Sequence, residues 1–415
     1  MSKLEVTVIG AGIIGLAAAY HLVEAGAQVT VIDRDPEGDK TSLGNAGGIA
    51  VTEVVPASAP GVARRVVGWL FDPLGPLSIR PAHALNLIPW LIRFAKVGTP
   101  KEVERISHAL AAINSRVYND LLPMLHNIGL SAQLQRKGAL TVYETDVGYS
   151  RDAREWACKR SRGVEVEEVT GSEARQMEPA LGPKVRRAVF TRQWSHVSDP
   201  ASLLRGLRSW LVSRNVIIKK GEVVNVAANS ASSISLELRD EGHISADRAV
   251  VASGAWSGTL AKRLGDQVLL ESERGYNTTL QNPGITVERQ LIFGEHKFVA
   301  TPLSCGLRIG GAAEFGGLDA PANYKRSAVL VQLASQYLPG LRTNGGTSWA
   351  GHRPATPDSL PVIGACSRQP NVFYAFGHGH LGLTQAATTG KLISDLVFRK
   401  TPPIDMTPYG ICRFT

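Results

Sequence analysis

The chain reads as an α/β protein in which a parallel-sheet domain is interleaved with an α+β domain built on an antiparallel sheet. Three observations predict this. Residues 4 to 33 run strand, glycine turn, helix, strand; the stretches from about 214 to 345 break into short strands with turn signals; and a second strand, glycine turn and helix close the chain near residues 371 to 398. At 415 residues the chain exceeds one ordinary core and fits two domains.

The opening unit is LEVTVIGAGIIGLAAAYHLVEAGAQVTVID. Leu4, Val6, Val8 and Ile9 make a buried strand. Gly10 permits the tight turn, Gly12 lets backbone N–H groups approach a pyrophosphate, and Gly15 lets helix and strand pack closely. Ile13 and Ile14 then open a helix whose positive end would face that pyrophosphate. Asp33 ends the second strand 18 residues after Gly15, near the spacing of about 20 expected for a carboxylate that accepts from ribose hydroxyls. Arg34 beside it suits a 2′-phosphate, the adenine or the pyrophosphate equally. A lone Gly-x-Gly-x-x-Gly is weak; two apolar strands, an Ala-rich helix and a terminal acid around it make it specific.

The remaining elements follow in order. TSLGNAGGIA, Thr41 to Ala50, is a small-residue loop able to lie flat against a planar ligand. Residues from about 80 to 128 read mainly as helices, Gly138 to Tyr143 as a strand, and Asp146 to Arg162 as a helix. VRRAVFTRQWSHV is strand-like until Asp199 and Pro200, a cap and a first-turn proline, start a helix to about Ser213. VIIKKGEVVNVAA, SISLELRD and ADRAVVASGAWS give three short strands, the last returning to the parallel sheet and ending in Gly254, Ala255 and Trp256, where backbone can touch a cofactor. RGYNTTL, KFVATPL and LRIGGAAEF read as antiparallel strands.

Near the C-terminus, NVFYAF leads through Gly377, Gly379 and Gly382 into a helix from about Leu383 to Phe398. No strand and acid follow, because the helix runs into Pro402 and Pro403, so this is not a second dinucleotide fold. A glycine-bared helix start can instead stabilise negative charge at the far end of a cofactor already held elsewhere. A flavin needs this at its N1/C2 carbonyl edge on reduction, and a nicotinamide does not.

Hydrophobic content of 44% and charged content of 20% suit a globular enzyme. The net charge of +9 is scattered in short clusters, such as Arg186 with Arg187, which suits no nucleic-acid arm but is compatible with an anionic substrate or peripheral contact with an anionic membrane face. Cys158, Cys305, Cys366 and Cys412 are too far apart in sequence for a zinc motif or a disulfide framework. No metal is expected. The first strand begins close to Met1, leaving no room for a secretory signal, and no apolar run is long enough to span a bilayer, so a cytoplasmic protein is expected, with at most a peripheral place on the inner face of the membrane.

With the opening fingerprint, TSLGNAGGIA, VVASGAWS and the tail HRPATPDSLPVIG…GHGHLGLTQAATTGKLISDL in place, the sequence resembles the FAD-dependent D-amino acid dehydrogenase family, within the group that includes D-amino acid oxidase, glycine oxidase and sarcosine oxidase. The likeness covers nearly the whole chain and is weakest between about 50 and 130. It implies an FAD-binding Rossmann-like domain (1–80, 146–185, 199–265 and 346–415) interleaved with a substrate domain (81–145, 186–198 and 266–345) whose antiparallel sheet lies over the flavin. It also implies oxidation of the Cα–N bond of a D-amino or cyclic imino acid, of the D-alanine, D-proline or D-hydroxyproline type, with electrons passed to a quinone or another non-oxygen acceptor.

The same resemblance supplies site expectations. Thr41, Ser42, Gly44, Asn45, Ala46, Gly47 and Gly48 would run along the pyrophosphate and isoalloxazine. Val224 would offer main chain to the adenine, Gly254 and Trp256 would lie near the middle, and Gly379, His380, Leu381, Gly382, Leu383 and Thr384 would meet the pyrimidine edge. Hydride transfer from a neutral amine needs little acid–base machinery, so binding geometry is the main task. A substrate carboxylate calls for a bidentate cation. Arg353 matches the family arginine, and Tyr276 a tyrosine whose hydroxyl helps hold the carboxylate. Arg274, two residues from Tyr276, should share its strand face or make an outward ion pair. Arg308 is a further candidate, although related oxidases carry their arginine where this chain has Gly306; His296 and Lys297 are others. His378 and His380 are loop histidines, of which His380 is the candidate catalytic contact. Rival readings are a glycine, sarcosine or opine oxidase or demethylase, a nicotinamide-dependent dehydrogenase, and a non-catalytic FAD-binding subunit.

Overall fold

The computed structural model describes residues 3–60, 75, 77–229 and 232–414. Part of the first predicted cofactor-domain segment, 61–74 and 76, therefore lies outside the described residues. The opening strand Glu5–Ile9 sits inside a six-stranded sheet, flanked by the parallel strands Gln28–Asp33 and Arg248–Val251. Ile217–Lys220 and Val372–Phe376 extend it in parallel, and Val362–Ala365 closes one edge antiparallel. Val8, Val31, Val250 and Ile363 are fully buried in its core, as a sheet covered on both faces requires.

Two helices cover one side of this sheet and touch each other. The helix Ile13–Glu24 follows the first glycine turn, and Gly382–Val397 follows the second. A β-carbon at Gly390 would lie 2.4 Å from the carbonyl oxygen of Ala17, so the helices approach at backbone distance. Ser394 Oγ donates to the His21 carbonyl, 3.1 Å away, across the same seam. The two glycine turns, far apart in sequence, therefore start a packed pair of helices.

The second layer is a large, mostly antiparallel sheet. Its order is Gly346–Ala355, Glu271–Leu280, Gly306–Phe315, Phe298–Leu303, Gln290–Phe293, Ala139–Tyr143, Arg187–Thr191 and Glu167–Thr170, with Leu77–Ile79 paired beside Gly306–Phe315. The expected α/β class and antiparallel substrate sheet are both present. Three strands depart from the expected boundaries: Leu77–Ile79, Glu167–Thr170 and Gly346–Ala355, assigned with the cofactor domain, pair in the large sheet. Gly346–Ala355 pairs residue for residue with all of Glu271–Leu280, a partnership that local sequence does not display.

Helices Ala84–Lys96, Pro100–Asn114 and Val117–Asn127 fill the predicted helical region. Asp199 caps Pro200–Ser213, its Oδ1 accepting from Ala201 N–H at 2.9 Å. The stretch 146–162 is broken into two helices, Asp146–Arg151 and Ala153–Ser161. The three strands expected after Ser213 are five, and the helix Lys325–Tyr337 interrupts the second strand region.

Candidate active site

One cavity of about 1060 Å³ joins the glycine turn at the centre of the parallel sheet to the face of the large sheet. Its nucleotide end is made mostly of main chain. Gly10 has φ +113°, and a β-carbon there would lie 2.5 Å from the Ala252 carbonyl oxygen. Gly15 does not line the cavity; its β-carbon would lie 1.9 Å from the Gly10 oxygen, so its work is helix-on-strand packing. Asp33 stands at the strand end, with Oδ2 accepting from Ala11 N–H at 2.7 Å and Oδ1 from Asp35 N–H at 2.9 Å. The Lys40 ammonium is 3.3 Å from the same carboxylate. The Arg34 guanidinium carbon stands over the Trp256 ring, 3.8 Å from its centroid. The strand ladder skips Val224, which also borders the cavity.

The loop 41–50 crosses the cavity and is tied down from four directions. Ser42 Oγ accepts from Ile13 N–H at 3.1 Å, and Thr41 Oγ1 donates to the His352 carbonyl at 3.0 Å. Asn45 Oδ1 accepts from Gly47 N–H at 2.7 Å, closing a local turn. Thr384 Oγ1 accepts from Ala50 N–H at 3.0 Å. Gly48–Ile49 pairs with Ser195–Val197. Ile14, Gly44 and Ala46 border the cavity; Gly47 and Thr384 do not, and serve as turn and brace.

At the far end Gly379, His380, Gly382 and Leu383 line the wall, while Leu381 is buried in the core and does not. Residues at three points fit a long planar cofactor. Gly254 at φ +59° and Gly379 at φ +52° have open space where a β-carbon would stand, and the nearest atom at Gly12 is 3.9 Å from that point. Asn277, 5% exposed, gives Nδ2 to the Gly44 carbonyl at 2.8 Å and leaves Oδ1 without a partner beside the loop. A buried acceptor left unpaired is costly, and a ligand donor in the cavity would satisfy it.

Sheet register builds the opposite end of the cavity, the one expected to take substrate. Glu273, Gly275 and Asn277 stand opposite Arg353, Gly351 and Trp349, and all six line the cavity. Arg353 Nη1 donates to Glu273 Oε1 at 2.7 Å. Its guanidinium lies over Gly275, where a β-carbon would fall 2.4 Å from Nη2. Trp349 is sandwiched in the same way, within 2.1 Å of a β-carbon at Gly44 and 2.0 Å of one at Gly351.

Tyr276 borders the cavity, but its hydroxyl is not turned to it. The hydroxyl donates to Glu314 Oε1 and accepts from Asn323 N–H, both at 3.0 Å, within the core of the large sheet. One step out of phase with Glu273 and Gly275, it falls on the other side of the pleat. This differs from the expected carboxylate contact. Arg274 is buried beside it, 3.7 Å from Glu314, so its pair is inward, not outward. Arg308 is also placed otherwise than as a carboxylate ligand: Nη1 donates to the Asn45 carbonyl at 2.6 Å and Nε to Thr279 Oγ1 at 2.9 Å, so it braces the loop from behind. His296 pairs with Glu144 and Lys297 with Asp152.

Three histidines beside the cavity, His352, His378 and His380, are shifted toward the neutral form. Burial lowers the pKa of His378 to about 3 and of His352 to about 4. His380 is exposed to the cavity, and the protein packed around that cavity lowers its pKa; Glu53 and Glu273 pull it back up, and Arg353 and Lys159 push it down. Among the described residues no group of three or more His, Cys, Asp or Glu could hold a metal ion, and no helix is long and apolar enough to cross a membrane.

The family model of the DAO FAD-dependent oxidoreductases matches residues 5–396. The chain belongs to this family. It is therefore an FAD-dependent oxidoreductase. It is 32% identical over 425 aligned positions to a D-amino-acid oxidase of Bradyrhizobium diazoefficiens, covering 99% of both chains. Its fold is similar to that of glycine oxidase from Geobacillus kaustophilus (TM-score 0.75, 22% identity, 99% of each chain). It is also similar to iminodiacetate oxidase from Chelativorans sp. BNC1 (TM-score 0.73, 21% identity, 98% of each chain). Sequence reasoning did not find Asn277, Trp349, Glu273 or the Lys159 group as cavity residues of this oxidoreductase. Only Asn277 and Trp349 carried a signal, as a polar and an aromatic residue each two positions from a strand glycine.

Proposed function

We propose that this oxidoreductase dehydrogenates a D-amino acid or cyclic imino acid, of the D-alanine, D-proline or D-hydroxyproline type, and passes the electrons to a quinone or another non-oxygen acceptor. The observation that carries the reading is Arg353, a guanidinium on the cavity face in the same chamber as the glycine-lined helix start at Gly379. FAD, when bound, supplies a two-electron acceptor for the hydride leaving Cα. Gly10, Gly12, Asp33, loop 41–48 and Gly254 would hold its nucleotide and middle portions, and Gly379 to Leu383 its pyrimidine edge.

The chain's own work is then positional. Arg353 takes the substrate carboxylate in place of, or shared with, Glu273, and Gly275 leaves room for the flat guanidinium. Neutral His380 offers a polar contact to the amine without adding a charge near Cα. The relatives' names, a D-amino-acid oxidase and a glycine oxidase, support an amino acid substrate. The basic composition is compatible with a cytoplasmic protein resting against an anionic membrane face.

Anaerobic mixing of the yellow holoprotein with D- and L-amino acids tests this. Bleaching by D-amino or cyclic imino acids is expected, followed by reoxidation by a soluble quinone faster than by air. Rapid oxygen uptake with hydrogen peroxide would favour an oxidase. A flavin that no amino acid bleaches would remove the reading.

A further inference from the structure

The cavity wall also holds charges that fixing an α-carboxylate does not use. Lys159 is buried, at 3% exposure, with Nζ 2.9 Å from Glu53 Oε1 and 3.0 Å from Glu155 Oε1. The ammonium stands 4.7 Å over the Trp156 ring. All four residues line the same cavity as Arg353. Burial opposes the charge on Lys159, but the two glutamates outweigh it and raise the pKa above the ordinary lysine value.

Exposure within this group is uneven. The Lys159 side chain is 4% exposed and that of Glu53 24%, so the cation is tucked behind the carboxylate that meets the cavity. Lys159 divides its charge between two acids, and Glu53 keeps part of its own. The other lysine of this wall, Lys297, is paired with Asp152. His380 lies within electrostatic reach of Glu53 and Lys159 as well as of Glu273 and Arg353, which puts both charged groups around one chamber.

The carboxylate is also held in place through the backbone. Asn114 Nδ2 donates to the Glu53 carbonyl at 3.0 Å, and Gln385 Nε2, from the C-terminal helix, donates to Asn114 Oδ1 at 3.0 Å. Glu53 thus sits at a fixed place just past the cofactor loop. A pre-set, partly compensated carboxylate on a cavity wall favours a cation and disfavours an anion.

We infer that Glu53 is a specificity-determining residue and that the preferred substrate carries an ammonium or guanidinium at the far end of its side chain. The inference rests on the amino acid reading above and replaces the D-alanine, D-proline or D-hydroxyproline type in it with a substrate bearing a cationic side chain. With the α-carboxylate at Arg353 and the side-chain cation at Glu53, the substrate uses both charged poles of the chamber.

The test compares flavin reduction by D-arginine, by D-citrulline, which has nearly the same shape without the charge, and by D-glutamate, in the intact holoprotein under anaerobic conditions. D-Arginine should exceed D-citrulline in kcat/KM by about tenfold, the scale of one partly desolvated charge-assisted contact, with D-glutamate slowest. Glu53→Gln should bring the ratio near one, and Glu53→Asp should restore part of it. The flavin spectrum and melting temperature report whether each variant is folded, and the wild-type ratio alone decides if neither is. Equal rates in the wild type, or a ratio untouched by Glu53→Gln, would overturn the inference while leaving amino acid oxidation standing. A flavin that none of these compounds nor D-alanine reduces removes both.

Discussion

The nucleotide end and the substrate end of the cavity are built from different materials. At the nucleotide end the wall is mostly glycines, backbone amides and one carboxylate from a single strand–turn–helix–strand unit, with Val224 and Trp256 added from further along the chain. At the substrate end they are side chains from Glu271–Leu280 and Gly346–Ala355, with Lys159 and Glu53 from elsewhere. A main-chain site follows from local conformation, so a short motif specifies it. A side-chain site depends on which strands pair and in what phase, and a shift of one residue sends a group to the other face.

Four substitutions break or sharpen this contrast. The largest effect is expected from Gly15→Ala, where the added carbon would stand 1.9 Å from the Gly10 oxygen. Overpacking of this kind costs on the order of 1–3 kcal/mol or more, and here it displaces the turn itself. The protein should emerge without flavin, read as the ratio of visible to ultraviolet absorbance; full occupancy would refute the close-packing role. Arg353→Leu comes next. It should retain flavin and raise the substrate KM about 100-fold, in line with roughly 2–3 kcal/mol for charge-assisted hydrogen bonds. An unchanged KM takes the arginine out of the site.

Arg308→Leu separates a loop brace from a substrate ligand. It leaves the Asn45 carbonyl without its donor, so FAD affinity should drop about tenfold, the cost of one such bond, while substrate KM changes little. The reverse pattern would return Arg308 to the carboxylate. Tyr276→Phe should be the mildest. It strands Asn323 N–H in the core, while Glu314 keeps its Arg80 partner, lowering stability by about 1–2 kcal/mol with KM close to wild type. A KM rise comparable to that of Arg353→Leu would place the hydroxyl on the substrate after all.

Much of this molecule was legible before its structure. The fingerprint Gly10, Gly12, Gly15 and Asp33, the cap at Asp199 and the glycine-led C-terminal helix all follow from bonds made within a few residues, where propensity and spacing decide. Arg353 was legible through family likeness as a cavity residue. Less legible were the break at residue 152, where one helix becomes two, and Leu381, which turns into the core beside residues that face the cavity. Each depends on neighbours remote in sequence.

By itself the sequence determined the nucleotide turn, the α/β class and the second helix start, because local backbone geometry suffices for each. Only the tertiary structure decided that the two helix starts pack together at Gly390, that Glu273 meets Arg353, that Tyr276 faces Glu314 and that Lys159 stands behind Glu53. Those contacts join residues tens to hundreds of positions apart, and their phase is set by strand register and helix docking, which only the folded chain fixes.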